Sequence, residues 1–351
     1  MATLPSIKRY AMNTLQGKKH FIGIDISKDT LDLSLLSEAR YGAFKDHRVS
    51  NSFKGYDAVL VWLEKMGVKA EDCLLCMEHT GTYGLLLFAW LNQMGFDFCV
   101  EPGQRIKKSM GMVRGKSDRV DARRIADYAC TNRSKLTLFT MPSTLIIQVK
   151  QLLTYREQLV KIGTSLKNSL ASHEQYQAVS GLRGIANDIR QQIQENERRI
   201  DGIEEQIVAT IGADAEMKRN FDMATSVKGV GLIIAAFMLV TTNNFTGFEN
   251  GRKYACYSGI APFENTSGSS IKGKAHVSHL GNKRVKALLS NGASSACTWD
   301  PEIKAYYNRK LKEGKEHMLI INAIRCKLVN RVFAAVKRQA PFVKLYEHNF
   351  D

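Results

Sequence analysis

A mixed α/β domain, a long helical connector and a basic, mainly α-helical C-terminal domain form the architecture this sequence predicts. Three observations carry that expectation. Hydrophobic alternation of period two gives way to helical spacing and back again within residues 20–101, leucines recur at heptad spacing beyond residue 145, and lysines and arginines crowd the last part of the chain. At 351 residues the chain exceeds one typical domain, and breaks in pattern divide it into residues 1–141, 142–212 and 213–351.

The segment HFIGIDISKDTLDLSLL (20–36) reads as two short strands joined by a turn at Lys28-Asp29. Ile22, Ile24 and Ile26 share one face of the first strand, and Gly23, Asp25 and Ser27 share the other. SFKGYDAVLVWLEKMG (52–67) has helical spacing, with Val59, Leu60 and Leu63 on one side. CLLCME (73–78) predicts a strand, GLLLFAWLNQMG (84–95) a helix and FDFCVE (96–101) another strand. An initial hairpin followed by alternating strands and helices builds a mixed sheet with helices packed on it. Cys73 and Cys76 form an isolated C-x-x-C. Three apart on a strand, they point to opposite faces and are expected to be buried and inert.

Pro142-Ser143 marks the next break. Leu145, Val149, Leu152, Leu159, Leu166 and Leu170 then follow a heptad seam interrupted by Arg156 and Gly163. A second helix continues through Ile189, Ile193, Ile200, Ile203 and Ile207, with a charged outer face at QENERR. Two long amphipathic helices of this kind predict a coiled-coil arm, and two helices of a globular bundle are the plainer alternative. In SVKGVGLIIAAFMLV the Gly229-Val230-Gly231 turn opens an apolar helix. That suits a helix-hairpin-helix whose turn amides face a phosphate, and equally a plain helix-packing turn.

The net charge of +16 predicts attraction to polyanions, nucleic acid first. The longest apolar run, Leu232 to Val240, is less than half of the roughly 20 residues a membrane-spanning helix needs. The N-terminal segment has no apolar signal-peptide core. No membrane partner and a cytoplasmic, nucleoid-associated location are expected.

The stretch GKSDRVDARRIADYA (115–129) poses the chemical question. Its local reading is a helix start with Ser117 as N-cap, where acidic Asp118 and Asp121 gain about 0.3–1 kcal/mol from the helix dipole. It is no phosphate-binding P-loop, since Met110 stands where a glycine is required. The functional reading adds Asp25, in the middle of an apolar strand, and Glu78, at a strand end before HTGTYG. Asp118 and Asp121 project from one helical face. Four carboxylates brought together repel unless divalent cations sit among them. Hard oxygen ligands select Mg²⁺ or Mn²⁺, and a pair of ions about 4 Å apart stabilises the attacking and leaving oxygens of phosphoryl transfer. Arg114, Lys116, Arg119, Arg123 and Arg124 would hold the nucleic-acid backbone.

FIGIDISKDTLDLSLL, CMEHTGTYG and RGKSDRVDARRIADYA resemble the Asp-Glu-Asp-Asp blocks of the insertion-sequence one-ten (IS-one-ten) transposase family, which includes the Piv-type DNA invertases. The resemblance continues through SVKGVGLIIAAFMLV, FENGRKYACYSGIAP and ENTSGSSIKGKAHVSHLGNKRVKALL, and spans roughly residues 20–345. It implies a RuvC-like, RNase H-type N-terminal domain, with Asp25, Glu78, Asp118 and Asp121 as catalytic metal ligands. It also implies a nucleophilic serine in an S-G-S-S block, which falls on Ser267. From the residues alone TSGSSIKGK reads as a flexible polar loop in which Ser269 and Ser270 remain open; the family pattern selects Ser267. Lys272 and Lys274 would offset charge on the phosphate, and His276 and His279 are expected to face solvent or phosphate.

The resemblance further implies a site-specific recombinase acting on donor and target DNA, guided by a structured bridge RNA. Its working unit would be a homodimer or homotetramer in which one protomer's RuvC-like domain meets another's serine domain. Two other readings stand beside it: a RuvC-like nuclease without covalent capture, and a catalytically inert nucleic-acid-binding scaffold. The four carboxylates count against the scaffold, and the S-G-S-S block with its basic surroundings counts against the simple nuclease.

Overall fold

Alternation at the N-terminus resolves into a hairpin symmetric about Lys28-Asp29, in which β1 (His20–Ile26) pairs antiparallel with β2 (Thr30–Ser37). A polar strand, β3 (Phe44–Ser50), adds antiparallel to β2 at the sheet edge. On the other side β4 (Cys73–Glu78) and β5 (Phe98–Glu101) add in parallel, giving the order β3-β2-β1-β4-β5. In the computed structural model the described residues are 15–109, 117–267, 271–278 and 280–343. They belong to two units, residues 1–141 and 142–351.

In the first unit, helices cover both faces of the sheet because both faces are apolar. Ile22, Ile24, Ile26, Leu31 and Leu33 are buried with Val59 and Leu63 of α1 (Phe53–Lys65) and Leu87 and Leu91 of α2 (Leu85–Gln93). Each such side chain, fully buried, contributes about 1.5–3 kcal/mol. Phe21, Leu74, Cys76 and Cys99 face the other way, against Ile106 of α3 (Gly103–Ser109) and Ile125, Tyr128 and Ala129 of α4 (Asp118–Asn132). Cys73 and Cys76 therefore do lie in different cores, and burial pushes the Cys73 thiol up to about 12.

The strands and helices expected between residues 20 and 101 are present, whereas β3 and α3 were not anticipated. The strand FKDHRVS has no regular apolar alternation because it is a half-exposed edge, and α3 carries a single buried residue, Ile106.

The second unit is largely helical. Two long helices, α5 (Thr144–Ser180) and α6 (Gly184–Gly212), pack on one another. Ser143 caps α5, accepting from the Ile146 amide. Arg156, which interrupts the seam, pairs with Glu204 of α6 at 2.7 Å, and buried Asn196 donates to the Leu159 carbonyl at 2.9 Å. At one end Ile146, Val149, Leu153, Ile207 and Ile211 join the core formed with α7 (Ala215–Thr225), α8 (Leu232–Thr241), α9 (Gly251–Tyr257), α10 (Lys283–Trp299), α11 (Pro301–Lys312) and α12 (His317–Arg338). Gly229, at φ +92°, approaches α10 so closely that a Cβ would stand 2.5 Å from the Gly292 carbonyl oxygen. The turn between α7 and α8 thus packs directly on α10. The segment that reads as a polar loop is in part an antiparallel hairpin, β6 (Pro262–Ser267) with β7 (Ile271–Val277).

Candidate active site

The sheet register builds one row of charged residues on the face that α4 covers. Antiparallel pairing opposes Asp25 to Asp32, and Asp32 to Arg48 on β3. Parallel pairing sets Ile24 beside Met77, which brings Asp25 level with Glu78 one residue further along, and Glu78 beside Glu101. All five strands contribute to this row. At its far end Glu101 is buried, bound to Arg105 at 2.9 Å and to the Tyr128 hydroxyl at 3.3 Å.

Helix α4 reaches the row because its contact face is small. Ala122, Ala126 and Ala129 are fully buried, and Gly23 of β1 lies directly against the backbone at Ala122 and Ala126. Ser117 starts the helix by accepting from the Val120 amide at 3.3 Å. The first turn then carries Asp118 and Asp121.

The electrostatics report the convergence. Asp25 is half-buried and its carboxyl is pushed up to about 6, by burial first and then by the charges of Asp118, Asp121, Asp32 and Glu78. Asp32 is buried, with Oδ2 lacking a hydrogen-bond partner among the described residues and Arg48 Nε 3.5 Å away. Burial raises its pKa, against the lowering by Arg48. Among the described residues no three Asp, Glu, His or Cys close into a metal cage. The acids instead take cationic or backbone neighbours. Asp121 accepts from Arg124 at 2.7 Å, Asp118 lies 3.9 Å from Arg48, and the Glu78 carboxylate rests against Gly103. The donors are hard oxygens only, and Asp25 feels the charges of four other acids although Arg48 lies 3.5 Å from Asp32 and Arg124 2.7 Å from Asp121. Both features fit a divalent cation, which Asp25, Glu78, Asp118 and Asp121 would hold.

Beside Arg124, which binds Asp121, two more of the arginines are engaged within the fold. Arg119 Nε donates to Asp46 Oδ2 at 2.5 Å, and Arg123 donates to Asp46 through Nε at 2.9 Å and Nη2 at 2.5 Å. These bonds, Arg123's first, hold the Asp46 carboxyl down at about 2. They tie α4 to the edge strand β3.

In the second unit Ser267 ends β6, its backbone paired with Ile271, while Lys272 and Lys274 lie on β7 with His276. Arg114, Lys116, His279 and residues 268–270 lie outside the described residues.

Asp32, Arg48, Asp46 and Glu101 were not anticipated as neighbours of the site. A signal for Asp32 exists: a hairpin centred on Lys28-Asp29 places Asp25 and Asp32 opposite one another. Asp46 and Arg48 sit on the strand whose pattern is too polar to be seen.

Among the described residues no helix is long and apolar enough to cross a membrane. A family model described as a transposase matches residues 22–175, and a second, described as Transposase IS116/IS110/IS902 family, matches residues 221–308. The chain is 25% identical over 334 residues to the Pilin gene-inverting protein of Moraxella bovis, covering 93% of this chain and 98% of that one. Identity to the Pilin gene-inverting protein of Moraxella lacunata is 24% over 334 residues, with the same coverage of 93% and 98%. The Insertion element IS110 uncharacterized 43.6 kDa protein of Streptomyces coelicolor is 23% identical over 384 residues, covering 90% of this chain and 94% of its own.

Proposed function

The chain belongs to the IS116/IS110/IS902 transposase family, and on that premise we propose a DNA recombinase that joins a carboxylate metal site to a serine nucleophile. Asp25, Glu78, Asp118 and Asp121 hold Mg²⁺ or Mn²⁺. The observation that carries this reading is the Asp25 carboxyl, raised by burial and by the other three acids together with Asp32. Bound there, a divalent cation supplies Lewis acidity and neutralises charge at the scissile phosphate.

Ser267 Oγ attacks the phosphorus, forming an O–P bond as the bond to the departing strand oxygen breaks. The serine proton leaves to a base, and the departing oxygen ends as a hydroxyl. The phosphoserine link keeps the phosphodiester's energy, so a hydroxyl on the exchanged strand reseals the DNA and releases serine without ATP. Lys272 and Lys274 offset the charge growing on the phosphate. Arg114, Lys116, Arg119, Arg123 and Arg124 are proposed to meet the nucleic-acid backbone, Arg119 and Arg123 on leaving Asp46.

The net charge of +16 suits polyanionic partners, here donor and target DNA, and a structured bridge RNA as guide is what the family resemblance implies. Residues 1–141 are read as the RuvC-like catalytic domain, 142–212 as a coiled-coil arm for assembly into a dimer or tetramer, and 213–351 as the serine domain. The turn between α7 and α8 is read as a helix-hairpin-helix-like element. Two relatives are named for gene inversion, and inversion is one outcome such strand exchange produces.

The test is incubation of the protein with Mg²⁺, candidate guide RNA and a donor–target DNA pair, followed by a denaturing gel. A protein–DNA adduct is expected, absent in Ser267→Ala and in Asp121→Ala, with nucleic-acid binding largely retained in both. Cleavage that persists in Ser267→Ala would identify a nuclease without covalent capture. Binding with no strand breakage would identify a scaffold.

A further inference from the structure

The second unit treats its buried and half-buried arginines in two ways. Arg331 of α12 is held by Asp300 at 2.8 Å and Glu302 at 2.7 Å. Arg156 has Glu204, and Arg284 has Glu157 and the Phe237 ring beneath it. Arg325, also on α12, is only 4% exposed, yet no carboxylate among the described residues pairs with it. Its hydrogen bond is from Nη1 to Asn322 Oδ1 at 3.3 Å, and Nε is buried without a partner among the described residues. Taking a charge out of water costs several kcal/mol unless an opposite charge and hydrogen bonds replace the solvent. A buried polar group left unsatisfied calls for a specific explanation, such as an ion or ligand that completes it.

The surroundings say where such a ligand would act. Asn322 donates its Nδ2 to the Ile260 carbonyl at 2.8 Å, and the Cys326 thiol reaches the same oxygen at 3.4 Å. Ile260 lies two residues before β6, the strand that ends at Ser267. Asn322 therefore ties the unsatisfied guanidinium to the root of the serine hairpin. Guanidinium N–H groups form a planar fork that matches a phosphate, and this fork has donors to spare.

We propose that Arg325 is a phosphate site in the second unit, which takes one backbone phosphodiester of the bound nucleic acid at the root of the β6–β7 hairpin. Asn322 is its positioning residue, orienting Nη1 through Oδ1 while holding Ile260 through Nδ2. The naming of a phosphodiester rests on the recombinase reading; the anion site itself rests on the unpaired guanidinium alone.

Full-length Arg325→Met and Arg325→Lys test this. Thermal unfolding is followed with and without inorganic phosphate, and binding of duplex DNA and of a structured RNA is measured across a salt series. Arg325→Met is expected to melt above the parent in phosphate-free buffer, because an uncompensated charge is gone, and to lose a large part of the stabilisation by phosphate. For the nucleic acid that uses the site, the slope of log affinity against log salt should fall by about 1. The two nucleic acids, assayed separately, tell a DNA phosphate from an RNA phosphate. Arg325→Lys keeps the charge and loses the fork, so it should fold as the parent does and bind phosphate more weakly.

If Arg325→Met melts below the parent and both variants keep the phosphate response, the residue is structural and the proposal fails. A phosphate response lost with both salt slopes unchanged would mean an adventitious ion only. None of these readouts needs strand cleavage, so a failure of the serine adduct experiment would leave the anion site standing.

Discussion

Gly23 of β1 and Ala122 of α4 meet backbone to backbone: a Cβ on Gly23 would occupy the space of the Ala122 carbonyl oxygen and the Ala126 amide nitrogen. That contact sets the height of α4 above the sheet, and with it the distance of Asp118 and Asp121 from Asp25. Neither obstructing atom belongs to a flexible side chain, so the helix as a whole must move to admit a methyl group. Gly23→Ala is expected to destabilise the first unit by about 1–3 kcal/mol or more, read by urea unfolding. It should also weaken Mg²⁺-induced stabilisation, while Gly184→Ala, where nothing lies within 4 Å, changes neither. A Gly23→Ala protein with unaltered unfolding and metal response would refute this account of how α4 is placed.

Asp25 makes the site sensitive to pH. Folding raises its carboxyl from 3.8 to about 6, so the protonated acid favours the folded state. That contribution is fully present below the ordinary carboxylate range and is lost as pH rises through about 6. Asp25→Asn should therefore melt above the parent at about pH 8, with the gap narrowing towards about pH 4. Mg²⁺ should stabilise the parent more at the higher pH and the variant little. Metal-dependent cleavage is expected to rise with pH through the same window. Equal melting of the two proteins across that range would remove the case for crowded carboxylates.

Asp46 behaves in the opposite sense. Its carboxyl is lowered to about 2 by Arg123 and Arg119, so its contribution is present above the ordinary carboxylate range and lost as pH falls through about 2. Asp46→Ala should cost about 1–2 kcal/mol near neutral pH, the exposed flank of Arg119 reducing what a buried pair would supply. It should also free two guanidinium groups and steepen the salt dependence of nucleic-acid binding. An unchanged salt slope would indicate that Arg119 and Arg123 stay on the protein and only anchor α4 to β3.

Much of the first unit is legible in the amino-acid sequence. The hairpin at Lys28-Asp29, the helix at residues 53–65 and the strands β4 and β5 announce themselves through hydrophobic periodicity, which reflects the alternation of side chains along each element. Edge strand β3 was hidden because none of its residues is fully buried, so little selection for apolar side chains marks it. Along α5 and α6 the heptad seam was visible. The fitting of Arg156 to Glu204 and of Asn196 to the Leu159 carbonyl was not, because each is a match between two helices.

The amino-acid order settles which residues can form strands, where α4 begins at its Ser117 cap, and which acids are candidates for metal, since these depend on neighbours a few positions away. The company those acids keep is a different matter. Asp32 opposite Asp25, Arg48 beyond it, Asp46 gripping α4 and Arg325 left without a carboxylate among the described residues all follow from how separate segments pack. Packing is set by register and by contacts such as that of Gly23 with Ala122, whose energies couple positions remote in the chain and leave no periodic trace in it.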